Sequence, residues 1–230
     1  MKLGVLLPTF RRGPDDAFAF AREAAEKGLD GVFAYDHLWP MGSPERPSLA
    51  PFPLLASVAR RHEGLSVGPL VARVGLVSSE HLIEEFLTLA SWAPGRVIAA
   101  LGTGDRLSAD ENIAYGLEFQ SSDERRSLVR RAGSALCEVM PVWIGAGAEA
   151  TNTLARTLGV EINLWNATPA RVREMSALGP VNWAGPVPDD LFTTLDELRD
   201  AGATWAVFSP QIEITRLKEW RDTRQLSKFP

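Results

Sequence analysis

Asp36, His37 and Trp39 put a carboxylate, an imidazole and an indole within four consecutive positions, in the segment DGVFAYDHLWP (30–40). The apolar residues before them read as a buried strand, so these groups stand where that strand runs out. A histidine held by a carboxylate can give or take a proton near neutral pH. An indole can wall an aromatic ligand or pack in a core. The structural account of the same residues is an imidazole that only satisfies a strand end, held by Asp36.

Three further stretches carry polar or glycine-rich chemistry. In LGTGDRLSADEN (101–112), Gly102, Thr103 and Gly104 let backbone approach a ligand closely, and Asp105, Asp110, Glu111 and Asn112 follow. Ser108 and Glu111 also fit a capping box at a helix start, so a tight turn and a cap explain the stretch equally well. In WIGAGAEATNTLARTLG (143–159), Gly145, Ala146 and Gly147 form a turn leading into a helix. Its free N–H groups and positive dipole end suit a phosphate. The Lys-Ser/Thr of a P-loop is missing, which argues against nucleoside triphosphate hydrolysis. In LWNA (164–167), Asn166 offers an amide that both donates and accepts.

Other chemistries find no support. There is no Ser-His-Asp set and no lysine placed for a Schiff base, and His62 and His81 fall in helix-like segments as surface residues. The single cysteine, Cys137, has no internal disulfide partner, and no Cys/His spacing suggests a metal site. With 24 Lys+Arg against 29 Asp+Glu the net charge is −5, the wrong sign for a nucleic-acid or anionic-membrane partner. The apolar start MKLGVLLPTF is too short for a signal segment, and no 18 apolar residues run together. These features predict a soluble, cytoplasmic protein acting on a small molecule.

The elements that must position these groups follow from the apolar pattern. Eight short runs recur between helix-like stretches: KLGVLLPT, DGVFAYDH, LSVGPLVARV, RVIAALGTG, PVWIGAG, VEINLWNA, GPVNWAGP and TWAVFSP. Runs that are apolar throughout belong to parallel strands covered on both faces. Between the first two, PDDAFAFAREAAEKG predicts a helix with Phe18, Ala21 and Ala25 on one face and Gly28 as its stop. PDDLFTTLDELRDAG (188–202) repeats the design with Leu191, Leu195 and Leu198. Eight such units predict one domain over residues 1–230, a compact (β/α)8 TIM barrel of α/β class, whose chemistry collects at the C-terminal strand ends. The alternative, an open doubly wound sheet, would carry G-x-G-x-x-G after the first strand, and PTFRRGPDD lacks it.

Taken together, AREAAEKGLDGVFAYDHLWP, VGPLVARVG, PGRVIAALGTGD…EN and PVWIGAG occur in order through most of residues 1–147, with INLWNA beyond. As a set they resemble the luciferase-like monooxygenase superfamily, in its branch using the deazaflavin coenzyme F420. The resemblance implies a (β/α)8 barrel with a flavin or deazaflavin at the C-terminal mouth, F420 first and FMN as the alternative. It assigns a non-prolyl cis peptide to GPLV, where Leu70, Val71 and Ala72 would support the ring. It gives the GTG and WIGAG segments, residues 102–104 and 145–147, to the cofactor's phosphate and tail, and adds Asp36, Trp39 and Asn166 to the cofactor contacts. His37 becomes the base of a hydride transfer, and Asp105 and Glu111 compete as the active-site acid. A homodimer is implied as well. Two rival functions stand beside this dehydrogenase reading: FMN-dependent monooxygenation, and a non-catalytic flavin-binding barrel. The chain departs from the family pattern in two ways. LVSSEHLIEEF replaces the usual Arg and Pro after strand three, and FQSSDERRSLVRRAGSALCEVMPVWIG leaves no long insertion, so the mouth is expected to be open or covered by a partner chain.

Overall fold

The computed structural model describes residues 1–104, 106–145 and 147–226. Each apolar run forms strand: β1 (Lys2–Leu6), β2 (Gly31–Ala34), β3 (Ser66–Pro69), β4 (Ala72–Arg73), β5 (Ala99–Gly102), β6 (Val142–Gly145), β7 (Glu161–Trp165), β8 (Val181–Gly185) and β9 (Trp205–Phe208). Between and after them lie α1 (Asp15–Glu26), α2 (Pro51–Arg61), α3 (Ser79–Trp92), the short α4 (Ala109–Ala114), α5 (Ser122–Leu136), α6 (Glu149–Leu158), α7 (Pro169–Ser176), α8 (Leu191–Asp200) and α9 (Ile214–Leu226). Among the described residues no helix is long and apolar enough to cross a membrane.

All strand pairs are parallel, in the order β3-β2-β1-β9-β8-β7-β6-β5-β4. The eight expected runs give nine strands because the third divides. A cis peptide joins Leu70 to Val71 between β3, which pairs with β2, and β4, which pairs with β5. The ring of strands closes where Val67 bridges Val97. The result is the (β/α)8 barrel, with its third strand broken at the mouth.

Alternation along the strands separates two apolar layers. Leu3, Val5 and Leu7 face the helices, whereas Leu6, Phe33, Trp143, Trp205 and Val207 fill the barrel. Inside, Phe33 packs against Trp143 at 5.2 Å and Trp205 at 5.7 Å between ring centroids, and the two indoles lie 5.5 Å apart. Each such ring removes on the order of 200 Å² from water, worth roughly 5 kcal/mol. A plug this bulky needs glycine opposite: a Cβ on Gly4 would come within 2.9 Å of the Phe33 ring. Outside, α8 buries Leu191, Leu195 and Leu198. Helix α1 buries Ala17, Ala21 and Ala24, a face turned slightly from the one expected, with Phe18 and Ala25 at its margin.

The closing seam has no spare room. A Cβ on Gly68 would lie 2.2 Å from the Ile98 carbonyl oxygen. Gly68→Ala is therefore expected to lower the unfolding free energy by about 1–3 kcal/mol, the usual cost of overpacking, read as a lower urea midpoint. An unchanged midpoint would mean that the seam yields freely.

Candidate active site

The strand ends surround a cavity of about 540 Å³. One wall is aromatic: Phe10 stacks on Tyr35 at 5.3 Å, and Tyr35 meets Trp165 edge-on at 6.3 Å. Burial pushes the Tyr35 phenol up to about 12, so it is neutral across the physiological range. The opposite wall is built on Leu70 and Val71, from the break between β3 and β4. The room left at Gly102 and Gly145 is taken by Val71, whose methyl carbons would lie 2.3 Å and 3.1 Å from a Cβ at those positions. The ligand-facing surface there is the valine together with the glycine backbone.

Beside this cavity four charged groups interlock. His37 Nδ1 lies 2.7 Å from Glu111 Oε1, and the Leu38 backbone N–H donates to Glu111 Oε2 at 2.6 Å. Arg73 Nη2 donates to the same Oε2 at 3.2 Å, and Arg73 Nη1 to the Ser108 carbonyl at 3.3 Å. Asp36 Oδ2 accepts from the Arg73 backbone N–H at 2.8 Å, while Arg73 Nε donates to the Asp36 carbonyl at 3.1 Å. The side chains of Glu111 and Arg73 are 2% and 4% exposed and that of His37 is 22% exposed. The imidazole thus reaches the cavity, and the acid behind it does not.

An ionised carboxylate only accepts, so Nδ1 carries the proton shared with Glu111 and Nε2 is left as the basic atom. Burial alone would raise the Glu111 carboxyl, but the bonds from His37 and Leu38 and the charges of His37 and Arg73 outweigh it and hold the group below its ordinary value. Asp36 behaves oppposite in sign: burial dominates and raises it, against the pull of Arg73.

Two expectations are corrected by this arrangement. The carboxylate that holds His37 is not the adjacent Asp36 but Glu111, 74 residues away, while Asp36 pins the backbone of β4. The capping box at 108–111 does not form: Ser108 makes no side-chain cap, and Glu111 turns away from its own helix start into the network.

Of the other site residues read from the sequence, Leu70, Val71, Gly102, Thr103, Gly104 and Gly145 line the cavity with His37. Asp105 and Ala146 lie outside the described residues. Trp39 is half-buried and not on the cavity wall, Ala72 faces the outer apolar layer, and Gly147 is exposed. Asn166 is exposed with φ 49°, a left-handed turn conformation that asparagine tolerates well. Helix α6 has Ala148 as its N-cap residue and so no side-chain cap, with the Thr151 N–H donating to the Ala148 carbonyl. Sequence reasoning missed Tyr35, Arg73, Asn163 and Trp165, all on the wall. The usable signal was polarity out of place, a lone arginine in LSVGPLVARV and a lone asparagine in VEINLW.

The network sets an acid limit. Folded Glu111 binds its proton less tightly than unfolded Glu111, so unfolding takes up a proton between its folded value and 4.5. The stability it contributes is complete above 4.5 and is lost as pH falls through that window. Glu111→Gln is expected to cost about 3 kcal/mol at pH 7 and to flatten the acid limb of a denaturation series. An acid limb as steep as that of the parent would assign it to other carboxylates.

A family model described as luciferase-like monooxygenase matches residues 1–130, the part that supplies Tyr35, His37, Arg73 and Glu111. An F420-dependent glucose-6-phosphate dehydrogenase of Nakamurella multipartita is 28% identical over 185 residues, 79% of this chain and 52% of that protein. An F420-dependent hydroxymycolic acid dehydrogenase of Mycobacterium tuberculosis is 29% identical over 204 residues, 86% of this chain and 54% of that protein. The chain spans about half the length of the curated relatives it matches. A solved F420-dependent secondary alcohol dehydrogenase, in complex with an F420-acetone adduct, shares the fold with a TM-score of 0.78 at 15% identity, over 95% of this chain and 97% of that one. The chain belongs to the luciferase-like monooxygenase family.

Proposed function

We propose that this protein is an oxidoreductase that uses coenzyme F420 to exchange hydride with a small organic substrate at the barrel mouth, with His37 as the base. The observation that carries the reading is the His37–Glu111 pair at 2.7 Å, with the acid buried and the imidazole on the cavity wall. The names of the relatives, both F420-dependent dehydrogenases, support the choice of cofactor.

The residues present fit a flat heterocycle. A cavity of about 540 Å³ lies within the usual range for small-molecule sites, and it is flanked by Tyr35 and Trp165 on one side and Leu70 and Val71 on another. The backbone of Gly102, Thr103, Gly104, Gly145 and Gly147, with the uncapped start of α6, suits a tail bearing phosphate. When bound, the deazaflavin supplies a two-electron hydride acceptor and donor.

The chain's own part is proton handling. His37 Nε2 takes the proton of a substrate hydroxyl during oxidation and returns it in the reverse direction. Glu111 keeps the imidazole turned correctly and stabilises its cationic form, and Arg73 keeps Glu111 ionised. Asp36 holds Arg73 through the β4 backbone. A homodimer belongs to the same reading, since Met41 and Trp165 leave apolar surface exposed at the mouth that a second copy would cover. The unpaired Cys137 suits a reducing cytoplasm.

A paired titration with F420 and FMN, followed by tryptophan emission, tests the cofactor. Preference for F420 is expected; tighter FMN binding would move the reading to monooxygenation, and binding of neither would leave a non-catalytic barrel. With F420 bound, His37→Ala is expected to lower turnover by roughly 10²–10⁴-fold while leaving cofactor affinity within a few-fold. Undiminished turnover would remove His37 from the reaction.

A further inference from the structure

The barrel interior is mostly apolar and aromatic, with a polar column along β7 and β8. Ile162 and Leu164 face the helices, so Glu161, Asn163 and Trp165 point inward. Asn182 stands directly opposite Asn163 in the β7–β8 register. Asn163 is 3% exposed and Asn182 is fully buried. Two amides in such a layer are costly unless they are bonded. Asn163 Nδ2 donates to Asn182 Oδ1 at 2.5 Å. Below them the Glu161 carboxylate accepts from the Thr204 hydroxyl, with the side chains of Asn182 and Trp143 beside it. Above them Asn163 lines the mouth cavity.

The direction of the column is read from the bond between its two amides. An ionised carboxylate offers only acceptors. Burial dominates and raises the Glu161 carboxyl above its ordinary value, against the pull of Thr204, Asn182, Trp143 and the Lys2 ammonium. Asn182 Oδ1 is taken by the Asn163 amide, and its buried Nδ2, which has no hydrogen-bond partner, is the donor left for the Glu161 side. Asn163 in turn commits its Nδ2 to Asn182. The group it has left for the cavity is Oδ1, an acceptor.

We infer that Asn163 is a specificity-determining residue of the mouth, whose carbonyl selects heterocycles carrying an imide N–H, and that Asn182 and Glu161 position it. The inference rests on the deazaflavin reading above and deepens it. Flavins and deazaflavins share a pyrimidinedione ring with a single imide N–H, and a buried acceptor left without a donor rejects the analogue that lacks one. Selection is thus exerted from the far end of the barrel, through two amides that cannot turn independently.

The test compares the dissociation constants of F420 and of F420 methylated at the imide nitrogen, in the full chain. The parent protein is expected to bind F420 roughly tenfold or more tighter than the methylated form. Asn163→Leu, which removes the acceptor at similar volume, should bring the ratio within about threefold. Glu161→Gln, which can donate as well as accept, should lower the ratio part-way, with folding of both variants checked by circular dichroism. A parent ratio near one overturns the inference without any variant, and so does an unchanged ratio in a folded Asn163→Leu protein. An unchanged ratio in Glu161→Gln alone removes Glu161 from the column. If the parent binds neither compound, the deazaflavin reading fails and takes this inference with it; binding with an unmoved ratio fails the inference alone.

Discussion

Glu111 is a carboxylate almost without access to water, and such a group persists only where donors replace the water it has lost. The imidazole of His37, the backbone N–H of Leu38 and the guanidinium of Arg73 fill that need. Those donors come from the end of β2 and from β4, and the acceptor comes from α4. One buried charge therefore fastens three segments that no backbone ladder joins. The position of the imidazole, the backbone direction after β2 and the seating of the short helix are a single arrangement. None can shift without exposing or orphaning the carboxylate.

The barrel prepares this junction through its broken third strand. Because β3 ends at Pro69 and β4 resumes at Ala72, the chain turns Val71 and Arg73 inward at the mouth and leaves Ala72 against the helices. Val71 settles over Gly102 and Gly145, while Arg73 spans from Asp36 to Glu111 and the Ser108 carbonyl. Wall and charge network are thus alternate residues of one short segment. Below them, the Phe33, Trp143 and Trp205 plug gives the mouth a floor.

Much of this was legible in the sequence because it depends on local pattern. Apolar runs, first-turn acids and helix-ending glycines report on their own neighbourhoods, and every run became strand. The site was legible in its parts but not in its pairings. Two S-x-x-E patterns show why: Ser121 and Glu124 form a full capping box, whereas Ser108 and Glu111 form none. The first glutamate is at the surface with no better partner; the second has an imidazole and a guanidinium waiting across the mouth. Nothing within four residues distinguishes them. In the same way Asp36 was the obvious partner for His37 by adjacency, although successive strand-end side chains point in opposite directions. The seven tryptophans could not be sorted at all, since Trp143 is buried within β6 whereas Trp165 is exposed at the last position of β7.

The pairing of β1 with β9 also bears on how the chain is made. Lys2 through Val5 bond to Trp205 through Phe208, so β1 is sealed by a strand made about 200 residues after it. At ordinary rates of synthesis, roughly 5–20 residues per second, that edge waits on the order of 10–40 s without its partner. During that interval it is an apolar strand open to misplaced pairing. Once β9 docks, the vulnerable edge disappears into the closed ring.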